Sequence, residues 1–137
     1  MRIFLLILGV LLASPGQAGE LVVIASPQVP DDTISVEKLA DIYTLKKTFW
    51  ANGIQVVPVN HEASSPLREK FSEAVFKLPP QELTEYWNRL RFQGKLPPLT
   101  QTSDQAVLGF VRNVPGAIGY IDASHAATGV KILLRIP

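Results

Sequence analysis

Cysteine is absent from all 137 residues, which excludes disulfides, iron–sulfur clusters and cysteine-ligated zinc. Histidine is nearly absent. His61 and His125 are the two, neither has carboxylates beside it at ligand spacing, and no metal or other cofactor is expected. A charge excess is also missing: thirteen basic residues stand against twelve acidic ones, and Arg2 is the lone charge in residues 1–18. Nucleic acid and anionic membrane both demand a basic surplus, so neither is expected as the main partner. Finally, no apolar run is long enough to span a bilayer. The longest, Ile3 to Leu12, is about ten residues where roughly twenty are needed.

That run follows Arg2 and gives way to Ala13-Ser14-Pro15, then Gly16-Gln17-Ala18, with small residues at the −3 and −1 positions of a cleavage site. Residues 1–18 therefore read as a signal peptide, and residues 19–137 as a single mature domain. Export without cysteine points to a bacterial periplasm rather than to a disulfide-stapled secreted scaffold.

Within the mature chain, Glu20 to Ser26 reads as a buried strand closed by Pro27. Ser35 caps a helix whose Val36, Leu39, Ile42 and Tyr43 share one face. Ile54 to Val59 is a second strand, with Pro58 marking its end or an edge position. Ser65, with Pro66 at the first helical position, opens a second helix. Gln81 to Arg91 forms a third, ended by Gly94, and Ser103-Asp104 open a fourth. Ala117 to Ile121 and Lys131 to Ile136 are the last strands. Apolar strands between helices predict an α/β fold with a sheet flanked by helices. Phe49 and Trp50, ahead of a glycine turn, are candidates for an exposed partner patch. Trp87 and Tyr86 read as core and rim packing.

The stretch Asn60 to Phe71 carries the most chemistry. A strand that runs into a helix through Ser64, Ser65 and Pro66, followed by Arg68, gathers backbone N–H groups and a cation at one spot. The candidate anion-binding set is the Ser64 and Ser65 hydroxyls, the N–H groups of Ser65, Leu67 and Arg68, the Arg68 guanidinium, and His61. The same residues also read as an ordinary helix cap, with Arg68 pairing with Glu62, Glu69 or Ser72 and His61 facing solvent at a strand end. Three or four charged hydrogen bonds give about 6–10 kcal/mol gross, near what micromolar binding needs. Tight binding by this corner would need a second wall, from another copy in a homodimer. Asp104, Asp122, Ser124 and His125 form no spaced nucleophile–base–orienter set, so no enzyme is expected, and His125 reads as a structural or idle loop residue.

Several pieces, taken in order, resemble the substrate-binding proteins of phosphate ABC transporters, a branch of the type 2 periplasmic binding fold. They are Leu39-Ala40-Asp41-Ile42-Tyr43 with its trailing lysines and Trp50, then Ser65-x-x-Arg68-x-x-Phe71, Tyr86-Trp87, Phe92-x-Gly94, and Val114-Pro115-Gly116-Ala117-Ile118-Gly119-Tyr120. The resemblance implies one lobe of such a protein, in a short single-domain relative. It further implies a periplasmic module that recognises a small oxyanion such as phosphate, or an acidic solute, and is linked to ABC transport or sensing through a membrane permease or sensor. The family's clamp, R-x-D-G-S-G-T, is poorly kept. Aligned on Ser65, its arginine falls on His61, its aspartate on Ala63, its glycines on Ser64 and Pro66, and its threonine on Leu67. A shortened relative without ligand, acting as an envelope interaction module, is the alternative.

Overall fold

Leu21–Ala25 is buried at every position, and a strand with no polar face has to be covered on both sides. In the computed structural model, which describes residues 19–125 and 127–137, this strand is β1, and the expected signal peptide lies outside the described residues. β1 pairs antiparallel with β4 (Ala117–Asp122) on one side and β5 (Lys131–Ile136) on the other. β2 (Val57–His61) runs parallel to β4 and to the short β3 (Leu99–Gln101), giving a five-stranded sheet of order β3-β2-β4-β1-β5. The architecture is the expected α/β sheet flanked by helices.

The α-helices among the described residues are α1 (Val36–Tyr43), α2 (Pro66–Phe76), α3 (Thr84–Phe92) and α4 (Asp104–Asn113); α1 and α2 cover one face of the sheet and α4 the other. Side chains alternate across a strand, so β1 feeds two cores. Leu21, Val23 and Ala25 pack with Leu39, Ile42 and Tyr43 of α1 and Leu67, Phe71 and Val75 of α2. Val22 and Ile24 pack with Val107 and Val111 of α4. Gly119 permits the second contact, because a Cβ there would lie 2.8 Å from Val107 Cγ1. Ser35, Ser65 and Ser103 each cap a helix through the hydroxyl, accepting from Lys38, Arg68 and Ala106 amides. Among the described residues no helix is long and apolar enough to cross a membrane.

Three expectations change. β3 was not foreseen: three residues, two of them exposed, exist as a strand only because β2 offers them an edge. β2 itself lies inside the sheet, not at its border, and begins at Val57. Pro58 is tolerated there because pairing with β3 starts at Val59, so its missing N–H faces no neighbour. Trp50 is 2% exposed and donates its Nε1–H to Gly116 O at 2.9 Å. Only Phe49, 57% exposed, remains of the aromatic patch.

Gly116 and Gly53 both adopt positive φ, +81° and +82°, yet a Cβ on Gly116 would sit 2.1 Å from Gln55 O while one on Gly53 meets nothing. Gly53→Ala should lose about 1 kcal/mol, the ordinary left-handed penalty. Gly116→Ala should lose about 3 kcal/mol or more, since a backbone carbonyl must also move. Urea unfolding of the two variants checks this; equal losses would remove the close approach as a constraint.

Candidate functional site

Period-two alternation decides what the end of β2 offers. His61 shares a face with Val59, toward α4, and Asn60 points to the opposite face. His61 is therefore buried rather than solvent-facing, at 5% exposure. Its Nε2 is 2.8 Å from Tyr120 O and 3.5 Å from Asp104 Oδ1. Asp104, at the start of α4, also accepts from the Asp122 amide at 2.9 Å and lies 2.6 Å from His125 Nδ1. Of the two readings open for His125, structural or idle, this contact with α4 favours the structural one. Nearby, hydrogen bonds from Ser124 hold the Asp122 carboxyl below its usual range.

On the other face, Asn60 Oδ1 accepts from the Tyr120 hydroxyl and from the His61 amide. An amide N–H needs an oxygen, so that contact fixes the Asn60 orientation. Its Nδ2 hydrogens are left without a protein acceptor among the described residues. Tyr120 is itself locked, stacked on Phe71 of α2 at 4.0 Å with 2° between the ring planes.

Beside Asn60 lies a cleft of about 370 Å³, also bounded by Arg68, by Trp87, Asn88 and Arg91 of α3, and by Pro97-Pro98 leading into β3. This size falls in the range of small-molecule sites. Arg68, at the third position of α2, folds back over the helix start and donates Nη1–H to His61 O at 3.0 Å. Neither Arg68 nor Arg91 forms an ion pair among the described residues, and no carboxylate lines the cleft. The foreseen partners Glu62, Glu69 and Ser72 do not hold Arg68; Ser72 instead donates to Leu78 O at 2.6 Å.

Of the five residues read from sequence, Arg68 lines this cleft. The Ser65 hydroxyl accepts from the Arg68 amide at 3.4 Å and the Ser65 amide donates to Glu62 O at 2.9 Å. Those donors serve the helix start. Pro66 has no N–H, so the Leu67 amide is the one first-turn donor left without a protein acceptor among the described residues; the Leu67 side chain is in the core. Ser64 is exposed just ahead of the cap. Arg91, Trp87, Asn88 and Asn60 were not foreseen as a group. Arg91 lies in a helix whose basic last turn reads as dipole compensation, and only the fold, which sets α3 across the cleft from the β2–α2 corner, brings it there.

No family model and no curated protein sequence matches the chain. Solved structures do. A phosphate-bound substrate-binding protein assigned to phosphate ABC transport, from Clostridium perfringens, matches with a TM-score of 0.68 at 22% identity, covering 86% of this chain and 46% of that one. An ABC-type phosphate transport receptor from Vibrio cholerae matches with a TM-score of 0.65 at 18% identity, over 86% of this chain and 47% of its own. PstS from Borrelia burgdorferi matches with a TM-score of 0.63 at 19% identity, over 84% and 47%. The likeness is one of fold, and the chain spans about half the length of these proteins.

Burial, first, holds the Tyr43 hydroxyl protonated well above its ordinary range; the neighbouring Tyr120 adds to this, and the bond to Val59 O opposes it. Burial likewise raises Tyr120, against the His61 amide and the Arg68 charge. Stability from such groups is complete below the unfolded value near 10 and is lost as pH rises toward the folded one. Ultraviolet titration should show Tyr43 and Tyr120 ionising only as the fold is lost. Ionisation of all three tyrosines by about pH 11 with circular dichroism unchanged would contradict this burial.

Proposed function

We propose that this protein is a periplasmic solute-binding module that holds a small anion, such as phosphate or an acidic solute, in the cleft between the β2–α2 corner and α3. The observation that carries the reading is two arginines, Arg68 and Arg91, lining one cleft with no carboxylate in its wall. Arginine is well suited to this role, because its guanidinium stays charged and its fork matches the oxygens of a carboxylate or phosphate. Asn60 adds a neutral donor with a set orientation. Ser64, Ser65, Leu67 and His61 are not in the cleft wall; Ser65 and His61 act behind it, through the cap and the contacts of β2 with β4 and α4. The second wall comes from α3 of the same chain, so the site does not require a second copy. The fold shared with phosphate-transport receptors supports a role beside an ABC permease or a sensor.

A second reading, an envelope interaction module, is favoured by the exposed apolar residues after Arg91. Phe92 is 94% exposed, Leu96 76% and Leu99 56%, a run that a partner protein would cover. Co-purification of a membrane protein without any anion-induced rise in melting temperature would favour it.

Calorimetry with phosphate, sulfate and small carboxylates tests the first reading. Arg68→Ala and Arg91→Ala should each weaken binding about tenfold or more, the value of one charge-assisted hydrogen bond. Heats that survive both substitutions would place the anion elsewhere.

A further inference from the structure

We infer that the cleft takes an organic anion, an acid group carried on a planar apolar body, in preference to a bare inorganic oxyanion. The inference rests on the anion-binding reading above and narrows its ligand class.

Size is the first argument. Phosphate or sulfate has five non-hydrogen atoms, roughly 150 Å³ even at the liquid-water share of about 30 Å³ each. The cleft is about 370 Å³, so more than half of it would hold only water. The donor arrangement is the second. A tetrahedral ion presents acceptors in every direction and is best held by backbone N–H groups closing around it. Here Ser65 and Arg68 amides are spent on Glu62 O and the Ser65 hydroxyl, and Pro66 has none to offer. One backbone amide, that of Leu67, stays open and it is not in the cleft wall; the charged and amide donors that line the cleft are side chains, on Asn60, Arg68 and Arg91 among others, and these suit an acid group that terminates a larger molecule.

The wall is the third argument. Trp87 and Pro97-Pro98 give the rest of the cleft flat apolar surface. Trp87 is held in place rather than free: its ring meets Tyr86 edge-on at 5.2 Å and 76°, and the Tyr86 hydroxyl donates to Thr44 O. The indole N–H of Trp87 has no protein acceptor among the described residues, unlike that of Trp50, which bonds Gly116 O. A fixed indole at the side of two cationic forks matches a ring that bears a carboxylate or a phosphate monoester.

Calorimetry on the purified protein compares phenyl phosphate with inorganic phosphate, and phenylacetate with acetate; the two pairs separate phosphate from carboxylate heads. At least one aryl acid should bind roughly tenfold tighter than its parent anion, as ring stacking affords. Trp87→Ala should erase that advantage, and Trp87→Phe should keep most of it. Should Trp87→Ala fail to fold, fluorescence replaces it: the aryl ligand should change tryptophan emission in the native protein and not in Trp87→Phe, whose remaining Trp50 is buried. Parent anions that bind as tightly as the aryl acids, with Arg68-dependent heats, would overturn this ligand class and leave the anion site standing. An aryl advantage untouched by Trp87→Ala would overturn it too. Absence of any Arg68-dependent heat, with every anion, would overturn both.

Discussion

Tyr43 and Tyr120 are among the largest side chains enclosed in the core, and each brings a hydroxyl that must be satisfied there. A buried hydroxyl without a partner costs about 1–3 kcal/mol, so these two groups restrict how the sheet can sit against the helices. Tyr43 of α1 donates to Val59 O at 2.8 Å, and Tyr120 of β4 donates to Asn60 Oδ1. Both bonds end on β2, at adjacent residues. The strand is thereby held at one height against its neighbours, and with it the Asn60 amide and the His61 carbonyl that anchors Arg68. Phe71, one helical turn beyond Arg68, stacks on Tyr120 and ties the start of α2 to the same point.

The cleft is an outcome of that anchoring. Its first wall is the β2–α2 corner, its second is α3, and Pro97-Pro98 joins them. These segments are distant in sequence, so their arginines approach one another only after the fold is made. Two guanidinium groups beside one cleft repel, modestly while water fills it and more strongly as the cleft dries. No lining carboxylate offsets that repulsion, and an anion held there, as proposed, would relieve it. The opposite side of β2 is arranged differently. There Asp104 lies between His61 and His125 and takes the Asp122 amide, so its acceptors are used within the protein and the cluster serves to join α4 to the ends of β2 and β4.

Much of the fold was legible from residue pattern because its determinants are local. The serine caps at Ser35, Ser65 and Ser103, Pro66 at a helix start, and the continuous apolar run of β1 each act within a few residues. β3 was not legible, since its three residues carry no strand pattern of their own and pair only because β2 is there. Pro58 misled for a related reason: a proline is barred from an interior strand only where a neighbour needs its N–H, and that depends on where β3 begins. Trp50 looked like a surface aromatic until Gly116 O supplied a partner for its N–H.

For the candidate site the division is sharper. Sequence alone determined the scaffold class, the capped start of α2 and the presence of Arg68 in its first turn, because helix capping is a matter of adjacent residues. Tertiary structure alone decided that the Ser65 hydroxyl turns inward to the Arg68 amide, that His61 lies beneath α4, and that Arg91, Trp87 and Asn60 meet across one cleft. Which donors are spent within the protein and which stay open is set by contacts between segments far apart in the chain, and residue spacing carries no record of those contacts.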